Sequence, residues 1–199
     1  MYNYEKRLQY PVNIKIKSPK IAQIVISQYG GPDGEAGAAM RYMSQKFAMK
    51  NSKVAGLIND IAVEELGHLE MVGSIVSQLV KDLPCDDIDL AGFEKYYVDH
   101  TLGVWPQSAG GVPFSATSFQ SCGDPIADLI EDMAAEQKAR KTYDNILALV
   151  KESDVREPIK FLRAREIVHF QRFGEALRMV TEDMDKKNFY AFNPSSCIK

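Results

Sequence analysis

Two of the chain's three histidines fall in one repeated pattern, Glu65-Leu66-Gly67-His68 and Glu166-Ile167-Val168-His169. Residues spaced this way on a helix project from one face, so each carboxylate and its imidazole can reach a common point. A lone glutamate precedes each pattern by the same interval, Glu35 before Glu65 and Glu136 before Glu166. Two helical turns after each lone glutamate comes a tyrosine, Tyr42 and Tyr143. Each phenol then shares its glutamate's face and can hydrogen-bond a ligand carboxylate. Carboxylate oxygen and imidazole nitrogen are donors for divalent metals. The chain reads as two copies of a helix pair, each giving Glu, then Glu and His, to a pair of metal ions.

The elements that must position these groups are visible as apolar seams. In a helix expected over about 53–82, Val54, Ile58 and Ile61 lead through Glu65 and His68 to Val72, Ile75 and Leu79. In a last helix over about 154–183, Val155, Ile159 and Leu162 lead through Glu166 and His169 to Phe173, Ala176 and Val180. Asp124-Pro125 opens a helix to about Lys151, with Ile126, Leu129, Met133, Tyr143, Leu147 and Val150 on its seam and Glu136 just after Met133. This spacing, three and four apart, is that of a helix bundle. An unpaired charge in such a core costs roughly several kcal/mol, and several carboxylates also repel one another. Two divalent cations supply the missing charge. The plainer reading, exposed charges in a chance pattern, leaves their seam positions unexplained.

The rest of the chain fits one all-α domain over 1–199. Residues 1–18 read as an extended arm. Ser18-Pro19 is a cap followed by a first-turn proline, starting a short helix that stops at Gly30-Gly31. Pro32 starts the next helical stretch, to about Lys50. Over 84–123 the pattern dissolves among Gly103, Pro106, Gly110, Gly111 and Pro113. So long a loop suits the crossover a bundle needs when consecutive helix pairs run the same way. Residues 186–199 form a tail.

Composition excludes several classes. The net charge of −3 and the lack of a long basic run argue against nucleic acid. No apolar run approaches a membrane span, and no apolar stretch follows the polar N-terminus as in a signal peptide. The expected place is the cytoplasm. Cys85, Cys122 and Cys197 are odd in number and far apart, so they read as isolated thiols. His100 reads as a surface or packing residue, Glu70 and Glu131 as solvated, and Trp105 as a loop anchor or subunit contact. Glu64, one turn before His68, competes with Glu65; the seam and the interval to Glu35 choose Glu65. Arg140, one turn after Glu136, either orients a carboxylate or pairs at a rim.

These residues resemble the ferritin-like dimetal carboxylate proteins. The nearer resemblance is to the manganese catalases, and among them to the short spore-coat type. It is carried by Tyr29-Gly30-Gly31-Pro32-Asp33-Gly34-Glu35 with Arg41-Tyr42, by Glu64-Glu65-Leu66-Gly67-His68-Leu69-Glu70, and by Arg165-Glu166-Ile167-Val168-His169-Phe170. The resemblance implies a four-helix bundle with two manganese ions per chain. It implies that Glu35 and His68 bind one ion, Glu136 and His169 the other, and that Glu65 bridges them. Glu166 is implied as a proton acceptor just outside the ligands; by their spacing Tyr42 and Tyr143, and Arg140 on one of its two readings, stand behind the ligands. The implied reaction is disproportionation of hydrogen peroxide to water and oxygen, in a homo-oligomer and, if the source forms spores, beside other spore-coat proteins. Two departures stand out. Some members carry a basic residue just before the third helix's glutamate, where this chain has Ala135, and the longer members carry a C-terminal extension. Two other readings share the ligand types: a diiron oxidase or peroxidase, and a coat scaffold whose metals only staple the bundle.

Overall fold

The computed structural model describes residues 4–186. The expected tail beyond Lys186, with Cys197, lies outside the described residues, as do Met1 to Asn3. The α-helices are α1 (Pro19–Val25), α2 (Ser27–Gly30), α3 (Glu35–Gln45), α4 (Ser52–Val80), α5 (Cys85–Leu90), α6 (Glu94–His100), α7 (Pro125–Leu149) and α8 (Ser153–Lys186). Ser18 caps α1 through the amide of Ile21, with Pro19 in the first turn. Asp124 caps α7 through the amides of Ile126 and Ala127. The stretch expected to begin at Pro32 begins at Glu35, because Gly31 to Gly34 form a turn, the Gly34 amide donating to the Gly31 carbonyl at 3.1 Å.

Two apolar clusters reveal how the helices run. One joins Ala22 and Val25 of α1, the C-terminal half of α4 from Met71 to Val80, Tyr143 and Ile146 of α7, and Val155 to Leu162 of α8. The other joins Tyr42 of α3, Val54 to Ala62 at the start of α4, Leu129 of α7, and Phe173 and Ala176 of α8. Thus α4 and α8 are antiparallel, and α7 runs parallel to α4. The chain must return along the bundle between α4 and α7, as the crossover was expected to do. Closest packing is within the pairs α3 with α4 and α7 with α8.

The crossover is not wholly irregular. It contains α5 and α6, where the sequence predicts loop. Each buries a single side chain, Ile88 in α5 and Tyr96 in α6, too few to show a period. His100 stacks on Trp105, ring centroids 4.4 Å apart, a packing role for His100 within the crossover. Gly30 is where the crossover returns to the bundle. A Cβ there would lie 2.2 Å from the Gln107 nitrogen.

The arm, from residue 4 to 18, carries no helix and is pinned to the bundle. Gln78 takes the Ile14 amide at 2.8 Å and donates to the Val12 carbonyl at 3.1 Å. Asp154 takes the Lys15 amide at 2.7 Å. Cys85 and Cys122 are exposed free thiols. Among the described residues, no helix is long and apolar enough to cross a membrane.

Candidate metal centre

Between the two apolar clusters lies a polar layer. On α4, Glu65 and His68 separate Ala62 from Met71; on α8, Glu166 and His169 separate Leu162 from Phe173. Glu35 opens α3 directly after the Gly31–Gly34 turn, and Glu136 sits mid-way along α7. All six side chains are at most 3 % exposed. Solvated surface charge is therefore not what the pattern encodes.

The arrangement has a centre. Glu65 faces both imidazoles, Oε2 lying 2.7 Å from His68 Nδ1 and Oε1 2.6 Å from His169 Nδ1. Each imidazole has a second glutamate at the same nitrogen: Glu35 at 3.8 Å for His68, and Glu136 at 3.6 Å for His169. The rings lie 5.4 Å apart, 23° from parallel. Donor atoms of Glu65, His68, Glu166 and His169 all lie within 4.8 Å of one another. Yet Glu65 Oε1, His169 Nδ1, Glu136 Oε2 and Glu166 Oε1 have no aligned hydrogen-bond partner. Atoms crowded together without hydrogen-bond alignment suit donors that share a cation.

Electrostatics agree. Burial pushes the Glu35 carboxyl well up, with Glu65 adding to it. Burial also pushes Glu166 well up, helped by Glu136, Glu35 and Glu65. Glu65 goes the other way: His169 and His68 outweigh its burial and hold it low. Burial alone would lower the imidazoles, but the glutamates push His68 to about 10 and His169 to about 12.

The tyrosines reach ligand carboxylates, but crosswise. Tyr42 of α3 donates to Glu136 of α7 at 2.5 Å, and Tyr143 of α7 donates to Glu35 of α3. Each half of the chain thereby holds the other half's lone glutamate.

Arg140 is not brought to the centre. Its guanidinium donates to Asp144 at 3.0 Å and to Gln137 at 2.9 Å, the rim pairing. Asp144, one turn further on and partly exposed, offers it a carboxylate without burial. Arg41 takes the inner place instead. It is buried, and with Asp33, Glu35, Tyr42, Ala135, Glu136 and Glu166 it lines a cavity of ≈ 10 Å³. A cation thus stands beside the small side chain of Ala135, supplied from α3.

Glu64 has a position the sequence did not reveal. Its carboxylate lies 3.6 Å from His68 Nε2 and 3.2 Å from His169 Nε2, on the outer edge of both rings. Arg165 holds it from outside at 2.7 Å, and Gln9 of the arm reaches it at 3.3 Å. The spacing of Glu64 to His68 was readable; its approach to His169 depends on how α4 meets α8. Of the other acids, Glu70 accepts from Tyr4 and Glu131 pairs with Lys138, both at the surface.

A helical bundle with a buried Glu/His layer between its clusters defines the ferritin-like class. Residues 1–192 match the family described as manganese containing catalase. The chain is 45% identical to Protein CotJC of Bacillus subtilis over 190 residues, 96% of this chain and 100% of that one. It is 32% identical to a probable manganese catalase of Clostridium acetobutylicum over 191 residues, 95% of this chain and 85% of the relative. KatB, a manganese catalase from Anabaena, superposes with a TM-score of 0.84 at 31% identity, covering 91% of this chain and 81% of that one. The chain belongs to the manganese-containing catalase family.

Proposed function

We propose that this protein is a dimanganese catalase that disproportionates hydrogen peroxide to water and oxygen. The reading rests above all on Glu65, whose two oxygens face two imidazoles that each carry their own second glutamate. That is the disposition of one bridging carboxylate between two equivalent cation sites. In this reading Glu35 and His68 would hold one ion and Glu136 and His169 the other, with Glu65 facing both. Bound there, two manganese ions would supply the redox store between the oxidation of one peroxide and the reduction of the next. The donor set alone also accepts iron. Manganese is favoured by the family and by the 31% identity to a manganese catalase of the same fold.

The protein's own groups then have separate tasks. Tyr143 and Tyr42 fix the lone glutamates by donating to them. Glu166 is the base: burial and three neighbouring carboxylates raise its affinity for a proton, so it can take one from peroxide and return it. The small cavity beside Arg41 and Ala135 has room for about one water, and Glu166 lines it. Glu166→Gln should keep two metals per chain while oxygen release slows about 10²- to 10⁴-fold. Oxygen release at the parental rate would remove Glu166 from the role of base.

The match along the whole of Protein CotJC supports placing this chain with the short members, and with them a spore-coat setting. A purely structural coat role predicts assembly without turnover, so the oxygen assay also separates these readings. Iron at the site, with peroxide consumed and no oxygen released, would favour a diiron peroxidase instead.

A further inference from the structure

Arg41 is buried on α3, and its guanidinium is only partly used. Nη2 donates to the Ser118 carbonyl at 3.0 Å. That carbonyl belongs to a short turn of the crossover, Ala116–Phe119, where Ser118 also donates its hydroxyl to the Ser115 carbonyl at 2.9 Å. The crossover thus fixes one edge of the guanidinium from outside the bundle. Asp33 Oδ1 lies 4.0 Å from Nη2 and is taken by Lys138 at 3.1 Å. Nε and Nη1 are buried and have no hydrogen-bond partner. An arginine cannot shed its charge, so these N–H groups need an acceptor.

The cavity of ≈ 10 Å³ that Arg41 lines offers a place for one. Arg41 brings positive charge to its wall, and Asp33, Glu35, Glu136 and Glu166 bring negative charge. Glu166 lines it from α8, and its Oε1 is also buried and unpartnered. A molecule placed there must accept from Arg41 and donate to Glu166. The hydroxyl end of peroxide does both through one oxygen. An anion has no proton to give Glu166 and meets four carboxylates. We propose that Arg41 is a substrate-binding residue, donating to the peroxide oxygen that itself donates to Glu166. A charged donor makes a stronger bond than a neutral one. Ser118 holds Arg41 for this task, and the small side chains of Ala38 and Ala135 in the same wall leave the molecule its room.

The inference takes its substrate from the catalase reading; the shared site of Arg41 and Glu166 stands apart from it. High-resolution diffraction from the metal-loaded full chain should show an ordered oxygen, water in place of peroxide, within hydrogen-bond distance of both side chains. Asp132 is a neighbouring buried carboxylate whose oxygens are also unpartnered. Arg41 turned onto Asp132, with no such oxygen in contact, would overturn the proposal whatever the activity. Arg41→Met should keep two metals per chain and lower kcat/KM about 10- to 100-fold, most of it as a raised KM for peroxide. Arg41→Lys, which keeps the charge, should raise KM by less. A lowered thermal midpoint with a parental KM in both variants would make Arg41 merely structural and overturn the proposal. Where Arg41→Met fails to fold, the diffraction result still decides. A wild type that releases no oxygen fails the catalase reading instead, and diffraction still shows whether Arg41 and Glu166 share a molecule.

Discussion

Glu64 and Glu65 are neighbours in sequence and opposites in position. Glu65 lies inside, between the two Nδ1 atoms; Glu64 lies outside, against the two Nε2 atoms. A carboxylate behind a ligand imidazole orients the ring and strengthens it as a donor. Here one carboxylate stands behind both rings. Glu64→Ala should therefore weaken both metal sites together, about 10- to 100-fold each, in competition with a chelator. Loss of one site alone, or of neither, would contradict this. Glu65, His68, Glu136, Glu166 and His169 were legible because they sit on apolar seams of known period, and Glu35 because its interval to Glu65 matches that of Glu136 to Glu166. The sequence did not place Glu64 against His169, nor Arg41 ahead of Arg140 as the inner cation. Those facts depend on helix-to-helix contact, which a single strand of text does not encode.

At the scale of elements, the long helices were legible and the short ones were not. The ends of α4, α7 and α8 fall within a few residues of their seams, since each carries many periodic apolar positions. The six residues of α5 and the seven of α6 offer one buried side chain each, so nothing periodic marks them. What ties the crossover back to the bundle is Gly30, against which the Pro106–Gln107 backbone packs. Any side chain there meets that backbone, which cannot give way as a flexible side chain can. Gly30→Ala should destabilise the protein by about 1–3 kcal/mol, read as a lowered urea midpoint with unchanged slope. A midpoint within error of the wild type would mean that the crossover moves freely from this spot.

At the scale of the whole molecule, the polar layer divides the bundle's core in two. Metal ions in that layer would cross-link α3, α4, α7 and α8 at mid-length. Anything that binds the folded chain but not the unfolded one stabilises it. Against their burial, the surrounding glutamates push His68 and His169 up to about 10 and about 12, so protons bind these nitrogens tightly. Protons and metals thus compete for the same atoms. Metal loading should release protons and should weaken steadily from about pH 8 to about pH 5, as followed by metal retained after dialysis. Loading that does not depend on pH over that range would place the metals elsewhere.

The proposed centre has two equivalent cation sites that share Glu65. It is tested most directly by metal content per chain in protein purified without added metal, with oxygen release from peroxide measured on the same sample. Two manganese ions per chain with rapid oxygen release is the predicted result. No bound metal, or one ion per chain that survives loss of Glu65 in a Glu65→Gln variant, would contradict it.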